Sequence, residues 1–265
     1  MPGSKLRDYA SQRPSPLVVA PIFSTYTYAF NLTRPPFDDA RVRRAFSLAL
    51  DRERIVASQP ASGIQPARSF VPPAAGYAYA GPTALRFDPG EARRLLAAAG
   101  YPEGRGFPAV ELTTNASQQH QELAEIVQQM WRENLGVQVG ISIKESKVFF
   151  EERIQKQLQL WRSSWIGDYP DAFAFLTVYL SDGGQNNSGY ASPDYDRLAL
   201  AAARTLDETT RLARYREAET VLLNDAPIIP VFHDTSRHLV QPVVRGRYPN
   251  LLDCHPYQDM WLDGK

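Results

Sequence analysis

Apolar positions along the chain follow two rhythms. In "FDDARVRRAFSLALDRERIV", Val42, Ala45, Phe46, Ala49 and Leu50 recur at i, i+3, i+4, i+7 and i+8. That spacing predicts an amphipathic helix with Asp39 as its N-cap. "DPGEARRLLAAAG" predicts a second, capped by Asp88, with Pro89 in its first turn, Leu95, Leu96 and Ala99 on its apolar face, and Gly100 as its stop. "QQHQELAEIVQQMWRENLG" gives a third, carrying Leu123, Ile126, Val127, Met130 and Trp131 and ending at Gly136. Further helices are predicted around 146–157, after the Ser192–Pro193 cap, and from Asp207 to Asn224, where Leu212, Tyr215, Ala218 and Leu222 share a side.

The other rhythm has period two. "VQVGISI" places Val137, Val139, Ile141 and Ile143 on one face of a strand. "AVELTT" and "LQLW" read as strands on either side of it. "SPLVVAP" and "TYTYAFNL" read as two short strands split by a proline turn, and "APIIPVFHD" and "RHLVQPVV" as two more near the end. Residues 57–86, rich in Pro, Gly, Ala and Tyr, predict an irregular excursion, and the last twenty residues read as loop. The middle of the chain is therefore β-α-β-α-β, an α/β arrangement with helices on the faces of a sheet.

Composition narrows the function classes. The 265 residues are enough for a real core, and 43% are hydrophobic. Lys plus Arg (29) balance Asp plus Glu (29), so no basic excess points to nucleic acid. "RVRR" (41–44) reads as a solvated helix face. The single cysteine, Cys254, excludes an internal disulfide. The chain carries no apolar signal-peptide region and no run of 18 apolar residues; it is expected either to be cytoplasmic or to have an export signal upstream.

The most unusual stretch is "WRSSWIGDYPDAFAFL" (161–176), with two tryptophans, an arginine and two aspartates around a Gly/Pro-broken turn. It follows a predicted strand, and ligands of open α/β sheets gather beyond strand carboxyl ends. Two readings stand side by side: a binding site, or a turn whose tryptophans plug a core.

"FNLTRPPFDDARVRRAFSLALDRERIV", "WIGDYPDAFAFL…QNNSGYASPDYDRL" and "RYREAETVLLNDAPIIPVFHDTSRHLVQPVVRG" resemble, in order, segments of the extracellular solute-binding proteins, family 5, of peptide and nickel ABC transporters. "AGYPEGRGFPAVELTTN" and "MWRENLGVQV" fall between them in the same order. The resemblance implies a periplasmic-binding-protein type II-like lobe, a central β-sheet flanked by helices. It implies the C-terminal half of a two-lobed protein: residues 1–229 as the ligand-binding lobe, and 230–265 as a tail returning to an N-terminal lobe not contained in this sequence. The implied function is peptide capture for an ABC importer, with no enzyme activity and no cofactor. The implied partners are a peptide ligand, permease subunits and the other lobe, in a periplasmic or extracellular setting although the chain shows no signal peptide. A ligand-sensing domain of a transcriptional regulator and a carboxylate-dependent hydrolase using Asp168 and Asp171 are the alternatives.

Within the resemblance, Asp168 matches the aspartate that binds a peptide's α-ammonium, with Tyr169 beside it. Arg162, six residues earlier, matches an arginine that neutralises the peptide carboxylate in some members. Ser146 stands where the family often has a tryptophan. Physically, Asp168 offers a counter-charge to an ammonium and Gly167 permits close backbone approach. Trp165 is either a stacking wall or core packing. Asn186 and Asn187, in "GGQNNSGY", either bond a peptide main chain or shape a Gly/Asn turn. Asp171 reads as a turn cap. His233 and His238, five apart in a strand, face opposite ways, and no metal site is expected.

Overall fold

In the computed structural model, which describes residues 3–74 and 76–264, six strands form one mixed sheet in the order β2-β6-β1-β5-β3-β4. β1 is Leu17–Phe30, β2 Gln65–Pro66, β3 Val110–Asn115, β4 Val139–Lys144, β5 Leu160–Ile166 and β6 Ile228–Leu239. β3 runs parallel to both β4 and β5; β1 is antiparallel to β5 and to β6. The carboxyl ends of β3, β4 and β5 therefore share one edge. Beyond that edge only β1 and β6 continue, with Leu17–Pro21 paired to Leu239–Thr235 as a two-stranded ribbon.

Strand alternation feeds a core on each face. Tyr28, Leu160 and Ile229 enter one, with Val42 and Phe46 of α2 (Ala40–Leu48), Leu96 of α4 (Pro89–Ala98) and Trp131 of α5 (Gln118–Leu135). Their neighbours Ala29, Trp161 and Ile228 enter the other, with Phe149 of α6 (Ser146–Ile154), Phe175 of α7 (Phe173–Leu176), Tyr195 of α8 (Pro193–Ala203) and Tyr215 of α9 (Glu208–Asp225). Each fully buried large side chain contributes about 1.5–3 kcal/mol. α1 (Gly3–Ser11) precedes β1, and β7 (Val244–Arg245) pairs with β8 (Trp261–Leu262) in a small second sheet.

The local cap chemistry lies where the sequence put it. The carboxylates of Asp39, Asp88 and Asp207 accept from Arg41, Glu91 and Thr210 N–H groups, and Gly136 ends α5 in the left-handed conformation. Three expectations are corrected. The helix expected to run past residue 50 breaks, and α3 (Arg52–Ala57) restarts under a new N-cap, Asp51. At the break, the buried Arg52 guanidinium donates to Pro230 O (2.7 Å), Ser47 O and Leu50 O (both 3.3 Å). Arg43, expected on a solvated face, is buried and donates to the Asp225 and Phe37 carbonyls. The paired short strands at either end of the sequence are single long strands. Pro21 is accommodated because the β1–β6 register shifts just after it, a bulge being a position where proline's missing N–H is harmless.

The boundary expected after residue 229 falls inside β6. Pro230 pairs with Thr27 and Phe232 with Tyr26, and the latter rings stack at 4.7 Å. Ile229, Val231 and Phe232 are buried within the sheet's own core; Leu239, on the ribbon, is exposed.

Candidate functional site

At the carboxyl end of β5 the chain is tied to β1: the Gly167 N–H donates to Phe23 O at 2.8 Å. Asp171 then starts α7, its carboxylate accepting from Phe173 N–H (2.8 Å) and the Tyr77 hydroxyl (3.4 Å), with Arg211 at 3.9 Å. This carboxylate is engaged by the turn, so an Asp168–Asp171 pair for hydrolysis has only one uncommitted member.

Beside the loop lies a cavity of about 240 Å³ whose lining includes Thr27, Arg153, Arg162, Trp165, Gln185 and Asn187. The two tryptophans divide the roles foreseen for them. Trp161 is 2% exposed and packs in the core. Trp165 is half-buried on the cavity wall, and its Nε1–H donates to Ala174 O at 2.6 Å, which fixes the ring's orientation. Arg162, three residues before it, leaves the opposite face of β5. Its guanidinium lies over the Tyr26 ring, 5.3 Å from the centroid, and Nη2 donates to Ser164 Oγ at 3.2 Å.

Asp168 and Tyr169 are exposed at the loop and do not line this cavity. Burial and the nearby carboxylates of Asp171 and Asp168 raise the Tyr169 pKa. Asn186 is used up inside its own turn: Nδ2 donates to Leu180 O (3.1 Å) and Tyr190 O (2.7 Å), and Oδ1 accepts from Ser188 Oγ (2.7 Å). The neighbouring Asn187 faces the cavity instead. The structure therefore brings Trp165 to the cavity, has Arg162 pass along its wall and turn its guanidinium over Tyr26 on the other face of β5, leaves Asp168 and Tyr169 on an open loop, and gives Asn186 a turn-building position.

Several polar groups at this edge escaped the sequence reading. Arg153, from the end of α6, enters the cavity with its guanidinium 4.9 Å from the Phe150 centroid. Burial lowers its pKa; Tyr179 opposes the shift and Arg162 adds to it. Its Nε, the Arg162 Nε, Thr114 Oγ1 and Asn115 Oδ1 are buried without a hydrogen-bond partner among the described residues. Buried polar atoms are rarely left so. His120, at the start of α5, contacts the Tyr26 hydroxyl at 3.3 Å, and burial, reinforced by Arg162, pushes its pKa down to about 4. It is a neutral imidazole at pH 7. Thr114, Asn115 and His120 all lie at or just beyond the end of β3, so the carboxyl-edge rule applied to that strand as well as to β5 points to them.

A profile of the bacterial extracellular solute-binding proteins, family 5 Middle, matches residues 3–187. The periplasmic oligopeptide-binding protein OppA of Salmonella typhimurium is 35% identical over 251 residues, 93% of this chain and 46% of that protein. The Escherichia coli murein tripeptide binding protein MppA superposes with a TM-score of 0.88 at 32% identity, covering 99% of this chain and 52% of that one. Haemophilus influenzae OppA, in complex with RPPGFSPFR, superposes with a TM-score of 0.85 at 26% identity over all of this chain and 53% of that one. The chain spans about half the length of the curated relatives it matches.

Proposed function

The chain belongs to the bacterial extracellular solute-binding proteins, family 5, and on that premise we propose that it is the peptide-gripping lobe of a substrate-binding protein that feeds an ABC importer. The family is one of solute binders, not of enzymes. Relatives are named periplasmic proteins, and the reading puts this chain in the same setting, or outside the cell, with permease subunits as its delivery partners.

The observation that carries the reading is the set of partnerless buried polar atoms at the carboxyl edge, Asn115 Oδ1, Arg153 Nε and Arg162 Nε, beside a cavity walled by Trp165. The Arg153 guanidinium in the cavity offers forked donors to a peptide's terminal carboxylate or carbonyls, and Arg162 adds a second positive charge from the other face of β5. The indole gives a flat surface that tolerates many side chains. Asp168, on the open loop, supplies the counter-charge for an α-ammonium. Main-chain recognition with fixed charges at the ends captures peptides with little regard to sequence. A second lobe closing over the carboxyl edge would bury Asp168 and the ligand together, with the segment beyond residue 239 and α1 on its side of the β1–β6 ribbon.

The test is native mass spectrometry after incubation with a mixed peptide library, using the chain alone and the chain paired with the N-terminal lobe of a relative. Retention of free-amine peptides by the paired form is expected. No retention of any peptide by either form overturns the reading.

A further inference from the structure

We propose that His238, Asp253 and His255 form a binding site for a divalent transition-metal cation of the zinc class, which clips the end of β6 to the loop at 250–255. The site lies outside the peptide cavity. The expectation of no metal site rested on His233 and His238 facing opposite sides of a strand; the fold answers it by carrying His255 to His238 from a different segment. One ligand atom from each of the three residues falls within 4.8 Å of the others. His238 Nε2 is 2.8 Å from Asp253 Oδ2, and His255 Nε2 is 2.8 Å from Asp253 Oδ1. The two rings stand at 85° with centroids 5.6 Å apart. Ligand atoms in a tetrahedral zinc shell lie about 3.3 Å from one another, so small side-chain shifts open this cluster to receive the ion.

The contacts around His255 hold one conflict that a cation relieves, with Nε2 as its ligand and the ring proton moved to Nδ1, 3.4 Å from Asn250 Nδ2. His255 Nε2 lies 2.8 Å from Asp253 Oδ1 and also 2.8 Å from Arg247 Nη2. Arginine only donates and an ionised carboxylate only accepts. A single ring nitrogen cannot satisfy both. A cation held between the Nε2 lone pair and the carboxylate oxygen removes the conflict. Arg247, 3.7 Å from Asp253 Oδ1 and nearly buried, is the positive charge that the ion displaces from the imidazole and the carboxylate. Two imidazoles and one carboxylate suit zinc better than calcium or magnesium, which prefer all-oxygen shells. The loop is held in place for this: Asn250 Nδ2 donates to Cys254 O (2.7 Å) and Asn250 Oδ1 accepts from Cys254 N–H (3.0 Å). His238 and Asp253 remain 38% and 29% exposed, which leaves a water-accessible fourth position.

The test titrates chelator-treated protein with Zn²⁺ by calorimetry and with Co²⁺ by visible spectroscopy. One site per chain is expected, with Co²⁺ bands of nitrogen and oxygen ligation and no thiolate charge-transfer band. His238→Ala and His255→Gln should each weaken Zn²⁺ at least tenfold. Arg247→Gln, which removes a competing cation while keeping all three ligands, should tighten it. Unaltered affinity in both histidine variants, loss only in Cys254→Ser, a thiolate band, or no tightening in Arg247→Gln overturns the proposal.

Discussion

Gly167 and Phe23 hold each other at the mouth of the site. The glycine N–H donates to the Phe23 carbonyl, and a Cβ placed on Gly167 would stand 2.5 Å from Phe23 Cδ1 and 2.8 Å from Phe175 Cε2. Both rings are fully buried and pack edge to face at 4.8 Å. Neither can yield without disturbing the core beneath the loop that presents Asp168. Gly167→Ala should therefore cost about 1–3 kcal/mol, read as a lower urea midpoint at unchanged slope.

Arg52 makes a second dependence visible. Its guanidinium meets three carbonyls, from α2, from the following turn and from β6, in a site that is 4% exposed. Burial pushes its pKa down to about 10, so it remains charged at pH 7. Arg52→Met keeps much of the volume and abandons those acceptors. Unsatisfied buried groups cost roughly 1–3 kcal/mol each, and relaxation at the break softens the sum. A loss of about 2–4 kcal/mol in chemical denaturation is expected; a loss under about 0.5 kcal/mol would show that water replaces the guanidinium.

These two cases mark where sequence reading reaches and where it stops. Caps such as Asp88 and Ser192 were legible because capping is settled within four residues. Pro21 was misleading because the local turn signal is overruled by β6, some 215 residues away. Arg43 looked solvated, and nothing in the sequence marked Arg52 as buried, because their acceptors, Asp225 O and Pro230 O, are close only in the fold. The same limit governs the site. Trp165 and Arg162 could be placed near a strand's carboxyl end from order alone. Arg153 sits at the end of a helix, and nothing in its neighbours announces that it turns into the cavity. Asn186 and Asn187 look alike in sequence; only the closed turn separates the one that builds the loop from the one that faces the cavity.

Buried Glu219 should give stability a distinct pH response. Burial raises its pKa to about 7 against the pull of the Tyr79 hydroxyl and the Val71 and Phe70 N–H groups. A carboxyl raised in the folded state binds protons more tightly there than when unfolded. Its stabilisation is fully present below the unfolded value of 4.5 and is lost as pH rises through about 7. The swing is on the order of 3 kcal/mol. His233, hydrogen-bonded to Thr25 Oγ1 at 2.9 Å and lowered by burial to about 4, acts oppositely: its contribution is present above 6.5 and is lost as pH falls toward 4. Denaturation from pH 4.5 to 8 should therefore show that Glu219→Gln steepens the rise of stability with pH, and that His233→Asn flattens it. Parallel curves for wild type and both variants would contradict these assignments.

The exposure of Asp168 makes its role depend on the second lobe. Its carboxylate stands on an open loop in the lone chain, where a charge pair with a peptide ammonium is worth roughly 0–1 kcal/mol. Under a closed second lobe the same pair would be desolvated, and loss of one partner then costs on the order of 2–5 kcal/mol. Asp168→Asn keeps the shape and removes the charge. In the chain alone it should change the affinity for a free-amine peptide less than about fivefold. In the two-lobed form it should weaken that peptide by at least about thirtyfold while leaving the N-acetylated version nearly unaffected. Asp171→Asn is the informative companion, because that carboxylate holds Phe173 N–H and the Tyr77 hydroxyl. It should lower thermal stability and weaken both peptide forms alike. Paired calorimetry of the two variants against one peptide, free and acetylated, separates a residue that reads the amine from one that supports the loop. Equal losses for the two peptide forms in Asp168→Asn would assign that residue to support.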